Sequence, residues 1–235
     1  MRPIGLRGRI SDQDVRLTLL LLSRGSTRRR RELEARLRAE GPDALLDDPE
    51  LLERLVAVRT ILVPSEPLFY YVAVRHTLLR AGLDDRALAE FLAGLLIEFG
   101  QRDRAYRVDR SDENVHRYLV DLLAELEASG PDRRFAVLLH LGNYALWLAG
   151  LFPDHIAARR LRHGGPDVSY YDALGRRGYE GAADHPLAAP AGLSVVLHVA
   201  AQRFPTVRLA LNRLSDRVFF PAAYTPDRIL RDLAG

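Results

Sequence analysis

The fold is decided by the stretch Phe135–Phe152, FAVLLHLGNYALWLAGLF, in which only His140 and Asn143 are polar. A helix that is apolar on every side must be covered on every side, either by other helices or by lipid. This stretch is barely long enough to cross a bilayer, and amphipathic helices are predicted on both sides of it. We therefore interpret residues 133–152 as the central helix of a helical domain.

Amphipathic patterns surround this central stretch. The clearest follows Asp84-Asp85, where apolar residues recur at i, i+3, i+4, i+7, i+8 and i+11 from Leu88 to Phe99. Gly130-Pro131 ends the preceding helix and begins the central one, and so short a connection predicts an antiparallel pair. Roughly ten helices and no β-hairpin are predicted, so the fold class is all-α, an irregular multi-helix domain packed around the central helix.

Capping residues, glycines and prolines predict where the helices begin and end. The stretch Val15–Leu22 is compatible with a helix or a buried strand. Four further helices are predicted over Asp47–Val63, Leu68–Arg80, Val168–Asp184 and Ala191–Arg203. A charged helix capped by Thr27 reaches about Ala39, and a basic helix extends from Pro153 to about His163. The remaining two are a helix capped by Ser111 or Asp112 that includes Val115 and Tyr118, and a short helix after Thr225-Pro226.

The domain organisation has two interpretations. The first is a single helical domain over residues 1–235. The second divides the chain into subdomains 1–100 and 113–235, because 101–112 (QRDRAYRVDRSD) is the one long polar stretch. Its residues are charged rather than glycine- and serine-rich, which favours an ordered surface loop over a flexible linker.

The composition excludes several mechanisms. There is no cysteine, so thiolate metal sites, disulfides and thiol nucleophiles are impossible. There is no lysine, and all 34 basic residues are arginine. A Walker A phosphate loop, a protein-kinase active site and a Schiff-base enzyme each require that amine, so these classes are excluded as well.

Positive charge is concentrated near the N-terminus. Residues 1–40 hold 11 arginines and 5 acidic residues, whereas the remaining 195 residues are slightly acidic. This surplus makes a contact with nucleic acid or with an acidic partner one hypothesis, and a solvated surface helix the alternative. The candidate contact residues are Arg24, Arg28, Arg29, Arg30, Arg31, Arg36 and Arg38.

A second basic cluster precedes Gly164-Gly165. Exposed glycine amides beside arginines can bind an anion. A helix C-terminus with favourable cations and a glycine stop would account for the same residues. The candidate anion-site residues are Arg159, Arg160, Arg162 and His163.

The histidines suggest three further sites. Glu113-x-x-His116 is half of a di-iron pattern, which places a carboxylate and an imidazole on one helix face. The spacing of Arg110 with His116, and of Arg134 with His140, resembles the Arg-x(4–6)-His signature of HEPN-type ribonucleases, in which the pair binds phosphate and performs acid–base chemistry. His140 and His198 lie in apolar helices, as core residues or as ligands of a haem or metal.

Tyrosine pairs suggest an interface. A helix bearing Tyr171 and Tyr179 has either a core role or a role in lining a partner groove. Its glycines and alanines (Gly175, Gly178 and Ala182) form a small-residue face that another helix could approach closely.

One resemblance covers about a quarter of the chain. The segments 142–156 (GNYALWLAGLFPDHI) and 169–182 (SYYDALGRRGYEGA) resemble a sequence that recurs in helical proteins of GC-rich bacteria with no assigned activity. The resemblance implies a bacterial helical protein and implies no activity.

No complete set of catalytic residues is present. The sequence therefore favours a non-catalytic helical protein, without metal or cofactor, that binds a protein partner or assembles with itself. The run Leu17–Leu22 is too short for a signal-peptide core, which favours the cytoplasm, and no membrane partner is expected. The alternatives are a nucleic-acid-associated protein that uses the N-terminal arginines and a helical enzyme of the HEPN-ribonuclease or metal-binding type.

Overall fold

The computed structural model describes residues 5–57, 63–222, 225 and 228, and within them it contains twelve α-helices and no strand. The predicted all-α class is confirmed. The chain forms two compact units, Ile4–Ile97 and Glu98–Gly235. The division falls shortly before the loop 101–112, in which the sequence suggests a boundary. That each unit folds independently stays a prediction.

The first unit contains five helices and most of a sixth. They are α1 Asp12–Ser23, α2 Thr27–Glu40, α3 Asp43–Leu46, α4 Leu51–Ala57, α5 Glu66–Arg80 and α6 Arg86–Phe99, whose last two residues belong to the second unit.

Three of these helices, α1, α2 and α5, begin with serine caps. Ser11 and Asp14 form a reciprocal capping box, so the ambiguous stretch Val15–Leu22 is a helix. Helix α2 is capped by Ser26, whose hydroxyl accepts from the amide of Arg29, and not by Thr27 as predicted. Serine and threonine are both good caps, and only the backbone conformation decides between adjacent ones.

The predicted helix Asp47–Val63 is wrong at its start. Asp47 and Asp48 form a turn between α3 and α4, and the part of the prediction over 58–62 lies outside the described residues. The Asp47 carboxylate accepts hydrogen bonds from Arg75 (2.9 Å) and Arg86 (2.7 Å). The Asp48 carboxylate accepts one from the amide of Glu50 (3.2 Å). The Asp48 side chain therefore stabilises the turn, and the Asp47 side chain belongs to an ion-pair cluster.

That cluster surrounds a buried arginine. The side chain of Arg75 is only 2% exposed and pairs with both Asp47 and Asp84. Breaking a buried pair by removing one partner leaves an uncompensated charge in the interior, which is strongly destabilising. Tyr71 of α5 is fully buried beside this cluster.

The second unit contains six helices. They are α7 Leu119–Ala128, α8 Pro131–Leu151, α9 Pro153–His163, α10 Val168–Ala183, α11 Ser194–Gln202 and α12 Phe204–Leu214. Twelve of the 21 residues of α8 are buried, and α7, α9, α10 and α12 pack against it. The predicted central helix is confirmed.

Glycines bring α8 and α10 into close contact. A Cβ atom added at Gly178 would lie 2.6 Å from the amide nitrogen of Gly142 and 2.9 Å from the carbonyl oxygen of Leu138. A Cβ atom at Gly175 would overlap the ring of Phe204 on α12. The predicted small-residue face of α10 is therefore where the backbones of two helices meet.

Polar side chains connect the helices around α8. The Tyr179 hydroxyl donates to Asn143 Oδ1 at 3.0 Å. The amide of Asn212 on α12 donates to the carbonyls of Ala149 and Gly150, at 2.7 and 2.8 Å. Buried polar groups without partners would cost free energy, so these bonds allow the Tyr179 hydroxyl and the Asn212 amide to lie in the interior.

Three other predicted boundaries change. Helix α7 begins at Leu119, so Val115 and Tyr118 lie outside it, in a segment held by a hydrogen bond from the His116 amide to the Tyr106 carbonyl (2.7 Å). Helix α11 begins at Ser194, because residues 188–192 form a turn with Gly192 at a φ of 70°. The helix predicted after Thr225-Pro226 lies outside the described residues except for Thr225 and Arg228.

Over the described ranges, every helix taken alone is too short or too polar to span a membrane. Helices α8 and α9 reach the required length and hydropathy only as a pair, which is bent by 89°.

The Gly142–Gly178 contact leads to a stability prediction. Gly178→Ala should lower the free energy of unfolding of the second unit by about 2–3 kcal/mol, because the new methyl group meets backbone atoms that cannot move aside. Urea denaturation followed by circular dichroism measures this change.

Gly181→Ala is the matched control, since it lies on the same helix and its Cβ would meet only the end of the Leu138 side chain. It should cost less than about 1 kcal/mol, because alanine also favours the helix. Equal losses in the two variants would contradict a backbone contact at Gly178.

Candidate functional site

The first predicted basic cluster lies on α2. Arg28, Arg29, Arg30 and Arg31 are exposed, and Leu33 is the only buried residue of this helix. Arg28 pairs with Glu32 and Arg30 with Glu34, whereas Arg24 pairs with Glu50 and Arg36 with Asp48. Within the part of the chain that the structure describes, no carboxylate lies within 4.0 Å of Arg29, Arg31 or Arg38.

The second predicted cluster lies at the end of α9. The amides of Gly164 and Gly165 donate to the carbonyls of Arg160 and Arg159. Gly164 has a φ of 60° and terminates the helix in the way expected for a glycine stop. These two amides are therefore occupied by the helix end, and only the arginine side chains are left to meet an anion.

Two of the predicted histidines approach each other in the second unit. His116 and His140 are both buried, and the charge of His116 would act on His140. His116 Nε2 lies 2.5 Å from Glu125 Oε2, a distance that fits an ion pair although its direction is poor for a hydrogen bond. Arg133 joins Glu125 to Asp112. The arrangement ties the loop before α7 to the start of α8.

Burial holds His140 in its neutral form. It lowers the pKa of His140 to about 3, with Arg104 and His116 adding to the effect. The ring packs against Phe99 and Tyr144, and its Nε2 is buried without a hydrogen-bond partner among the described residues. Among the described residues no three His, Asp or Glu side chains are placed to share a metal ion.

The other residues of the proposed histidine motifs lie apart. Glu113 and His116 are in an extended segment, so they do not share a helix face as the di-iron spacing requires. Arg134 donates to the Leu126 carbonyl, and Arg110 lies 3.9 Å from Glu98. His198 is not in the core: its side chain is half exposed, 3.3 Å from Asp184.

A groove of about 180 Å³ lies between the start of α7, α9 and the start of α10. We call it the arginine–tyrosine groove. It is lined by Arg117, Tyr118, Leu119, Val120, Leu148, Arg159, Pro166, Tyr170 and Tyr171. Arg159 comes from the predicted anion cluster and Tyr171 from the predicted partner helix, whereas Tyr179 is fully buried in the core.

Both arginines of the groove are stacked on tyrosine rings. The guanidinium of Arg159 lies 5.2 Å from the ring centre of Tyr118, and that of Arg117 lies 5.3 Å from that of Tyr106. Such cation–π contacts order the side chains without neutralising them. No carboxylate of the described residues lies within 4.0 Å of either guanidinium. Two arginines that line the groove are therefore ordered against tyrosine rings and have no carboxylate partner among the described residues.

Tertiary contacts place Arg117 and Tyr118 here. The Tyr144 hydroxyl donates to the Arg117 carbonyl at 2.9 Å, and the His116 amide donates to the Tyr106 carbonyl. These bonds hold the segment before α7 in an extended conformation. No local sequence signal indicates this conformation, because a continuous helical pattern over 112–126 places the same residues on a helix.

The groove also exposes apolar surface. Tyr118 is 53% exposed and Val120 is 59% exposed. Beneath them, burial raises the pKa of Tyr171, and Arg159 opposes this shift. Burial also raises the pKa of Tyr144. The phenols of Tyr171 and Tyr144 therefore stay protonated at neutral pH and can donate hydrogen bonds.

The buried His140 predicts a pH dependence of stability. Its folded pKa lies below the unfolded value of about 6.5, so the unfolded state alone takes up a proton as the pH falls below that value. Stability is therefore lost on acidification, by about 2 kcal/mol between pH 7 and pH 5. Urea denaturation at a series of pH values measures it.

His140→Gln should remove this component, because glutamine does not titrate. The buried His76, whose pKa burial also lowers, contributes equally to both proteins. If the variant and the original protein show the same loss between pH 7 and pH 5, His140 is not the group responsible.

No protein-family model, no curated protein and no solved structure matches this chain.

Proposed function

We propose that this chain is a non-catalytic binding protein, and that the arginine–tyrosine groove holds an acidic segment of a protein partner. The observation that carries the proposal is the pair Arg117 and Arg159, two ordered guanidinium groups beside one groove without a carboxylate partner among the described residues. A partner that supplies carboxylates would complete two charge-assisted hydrogen-bonded pairs.

The apolar surface of the groove favours a peptide ligand rather than a free inorganic anion. Tyr118 and Val120 are exposed at the rim, and Leu148 and Tyr171 line the interior. Tyrosine and arginine are the residues that most often dominate the energy of protein interfaces. A groove of about 180 Å³ has room for one large side chain between two acidic residues. The occupant that fits is an acidic segment with a central aromatic or aliphatic residue.

The chemistry of the groove supports binding rather than a reaction. Its ionisable side chains are guanidiniums and phenols, and burial raises the pKa of the Tyr171 phenol. A general base must be able to accept a proton at the working pH, and none of the residues that line the groove meets this requirement. These groups can orient and neutralise an anion.

A peptide titration tests the proposal. The probe is a short fluorescein-labelled peptide with one phenylalanine between aspartate and glutamate residues, followed by fluorescence anisotropy. The chain should bind this peptide. The variant Arg117→Gln with Arg159→Gln should bind at least about tenfold more weakly, because hydrogen bonds to charged groups contribute about 1.5–3 kcal/mol each.

Two controls make the result specific. A peptide with asparagine and glutamine in place of the acids should not bind. Arg176→Gln with Arg213→Gln removes the same charge from exposed positions outside the groove and should leave the affinity unchanged. Equal binding of the two peptides, or an equal loss in the control variant, would show that the groove is not the site.

A further inference from the structure

Helix α2 of the first unit carries an arginine surface that the proposed function does not use. Successive residues of an α-helix are about 100° apart, so Arg28, Arg31 and Arg38 share an arc of about 80°. Leu33, the only buried residue of the helix, lies on the opposite side. We call these three residues the arginine stripe. It extends about 15 Å along the helix.

The positive charge of the arginine stripe is little compensated by carboxylates of the fold. Arg31 and Arg38 have no carboxylate within 4.0 Å among the described residues, and the Arg28 side chain, 91% exposed, makes only a surface pair with Glu32. Such pairs contribute little. The first turn of α2 holds arginines and no acidic residue, so Arg28 also opposes the helix dipole, whereas Arg38 in the last turn favours it. Helix stability alone does not account for the first two arginines of the stripe.

We propose that the arginine stripe binds the phosphate backbone of duplex DNA. Guanidinium groups form bidentate hydrogen bonds with phosphate, and a row of them along one helix face meets a row of phosphates. The major groove of B-DNA is about 12 Å wide and admits an α-helix. Binding of this kind is governed by the backbone and does not depend on base sequence.

The connection between α1 and α2 is compatible with this docking. The two helices pack together and are joined by the three-residue turn Arg24-Gly25-Ser26, in which Arg24 and Gly25 have positive φ. A short glycine-containing turn between two helices is the connectivity of helix-turn-helix units. In those units the N-terminal part of the second helix enters the major groove. The first two stripe residues occupy that part of α2.

Other anionic partners fit less well. A membrane-surface helix needs a broad apolar face, but the apolar residues of α2, Leu33 and Leu37, are turned inward and its outward face carries Ala35 between arginines. A protein interface needs an apolar or aromatic centre, which this face lacks.

Other nucleic acids also fit less well than duplex DNA. Single strands bind through exposed aromatic rings, and α2 has none. Duplex RNA has a major groove too narrow for a helix.

The test is a binding titration of the full chain against a short fluorescein-labelled DNA duplex of arbitrary sequence, at several salt concentrations. In Arg28→Gln/Arg31→Gln/Arg38→Gln the affinity should fall at least about tenfold. The slope of the logarithm of the binding constant against the logarithm of the salt concentration should become shallower by about 2.7. Each phosphate contact contributes about 0.9 to this slope, and the variant loses three contacts. Glutamine is a good helix former, so far-UV circular dichroism should show an intact fold.

A charge-matched control is Arg176→Gln/Arg177→Gln/Arg213→Gln, which removes three exposed arginines of the second unit. It should keep the DNA affinity within about twofold and leave the slope less than about one unit changed. An equal loss in this control would mean that net charge, and not the stripe, attracts DNA. Equal or tighter binding of duplex RNA, of phosphatidylserine vesicles or of polyglutamate would also overturn the proposal. Because the stripe lies in the first unit, the groove variant Arg117→Gln/Arg159→Gln tests the proposed function separately.

Discussion

The second unit depends on the packing of other helices around α8. This helix has apolar residues on every side, and twelve of its 21 residues are buried by its neighbours. The closest neighbour is α10, which can approach only because Gly142 and Gly178 leave no side chain between the two backbones. At this distance Tyr179 is fully buried and its hydroxyl reaches Asn143. One pair of glycines thus determines how the two longest helices of the unit pack.

The candidate groove follows from the same helix. Tyr144 of α8 is buried, but its hydroxyl requires a partner and finds it in the carbonyl of Arg117. Satisfying this phenol holds the segment before α7 extended and places Arg117 and Tyr118 at the surface. A buried polar group in the core therefore positions two exposed residues of the groove.

Arginine has several roles in this chain, and composition does not separate them. Arg75, Arg104 and Arg208 are largely buried and pair with carboxylates that lie elsewhere in the fold. Arg117 and Arg159 lie over tyrosine rings, and the arginine stripe faces solvent. In a chain without lysine every positive charge is an arginine. Burial of the side chain together with its distance to a carboxylate distinguishes an arginine that stabilises the fold from one available to a partner.

Interactions between residues close in the sequence determined the helical class, the central helix, the amphipathic faces and most helix ends. Hydrophobic periodicity and capping act over a few residues and can be recognised without tertiary contacts. The tertiary structure decided the rest. Asp47 lies in a helical sequence pattern but is not helical, because its carboxylate pairs with Arg75. Tyr118 also lies in such a pattern, but hydrogen bonds of the neighbouring His116 and Arg117 backbones keep it outside the helix. Each of these contacts joins residues distant in the chain, and their free energy exceeds the small local preference for helix, so periodicity alone could not locate the groove.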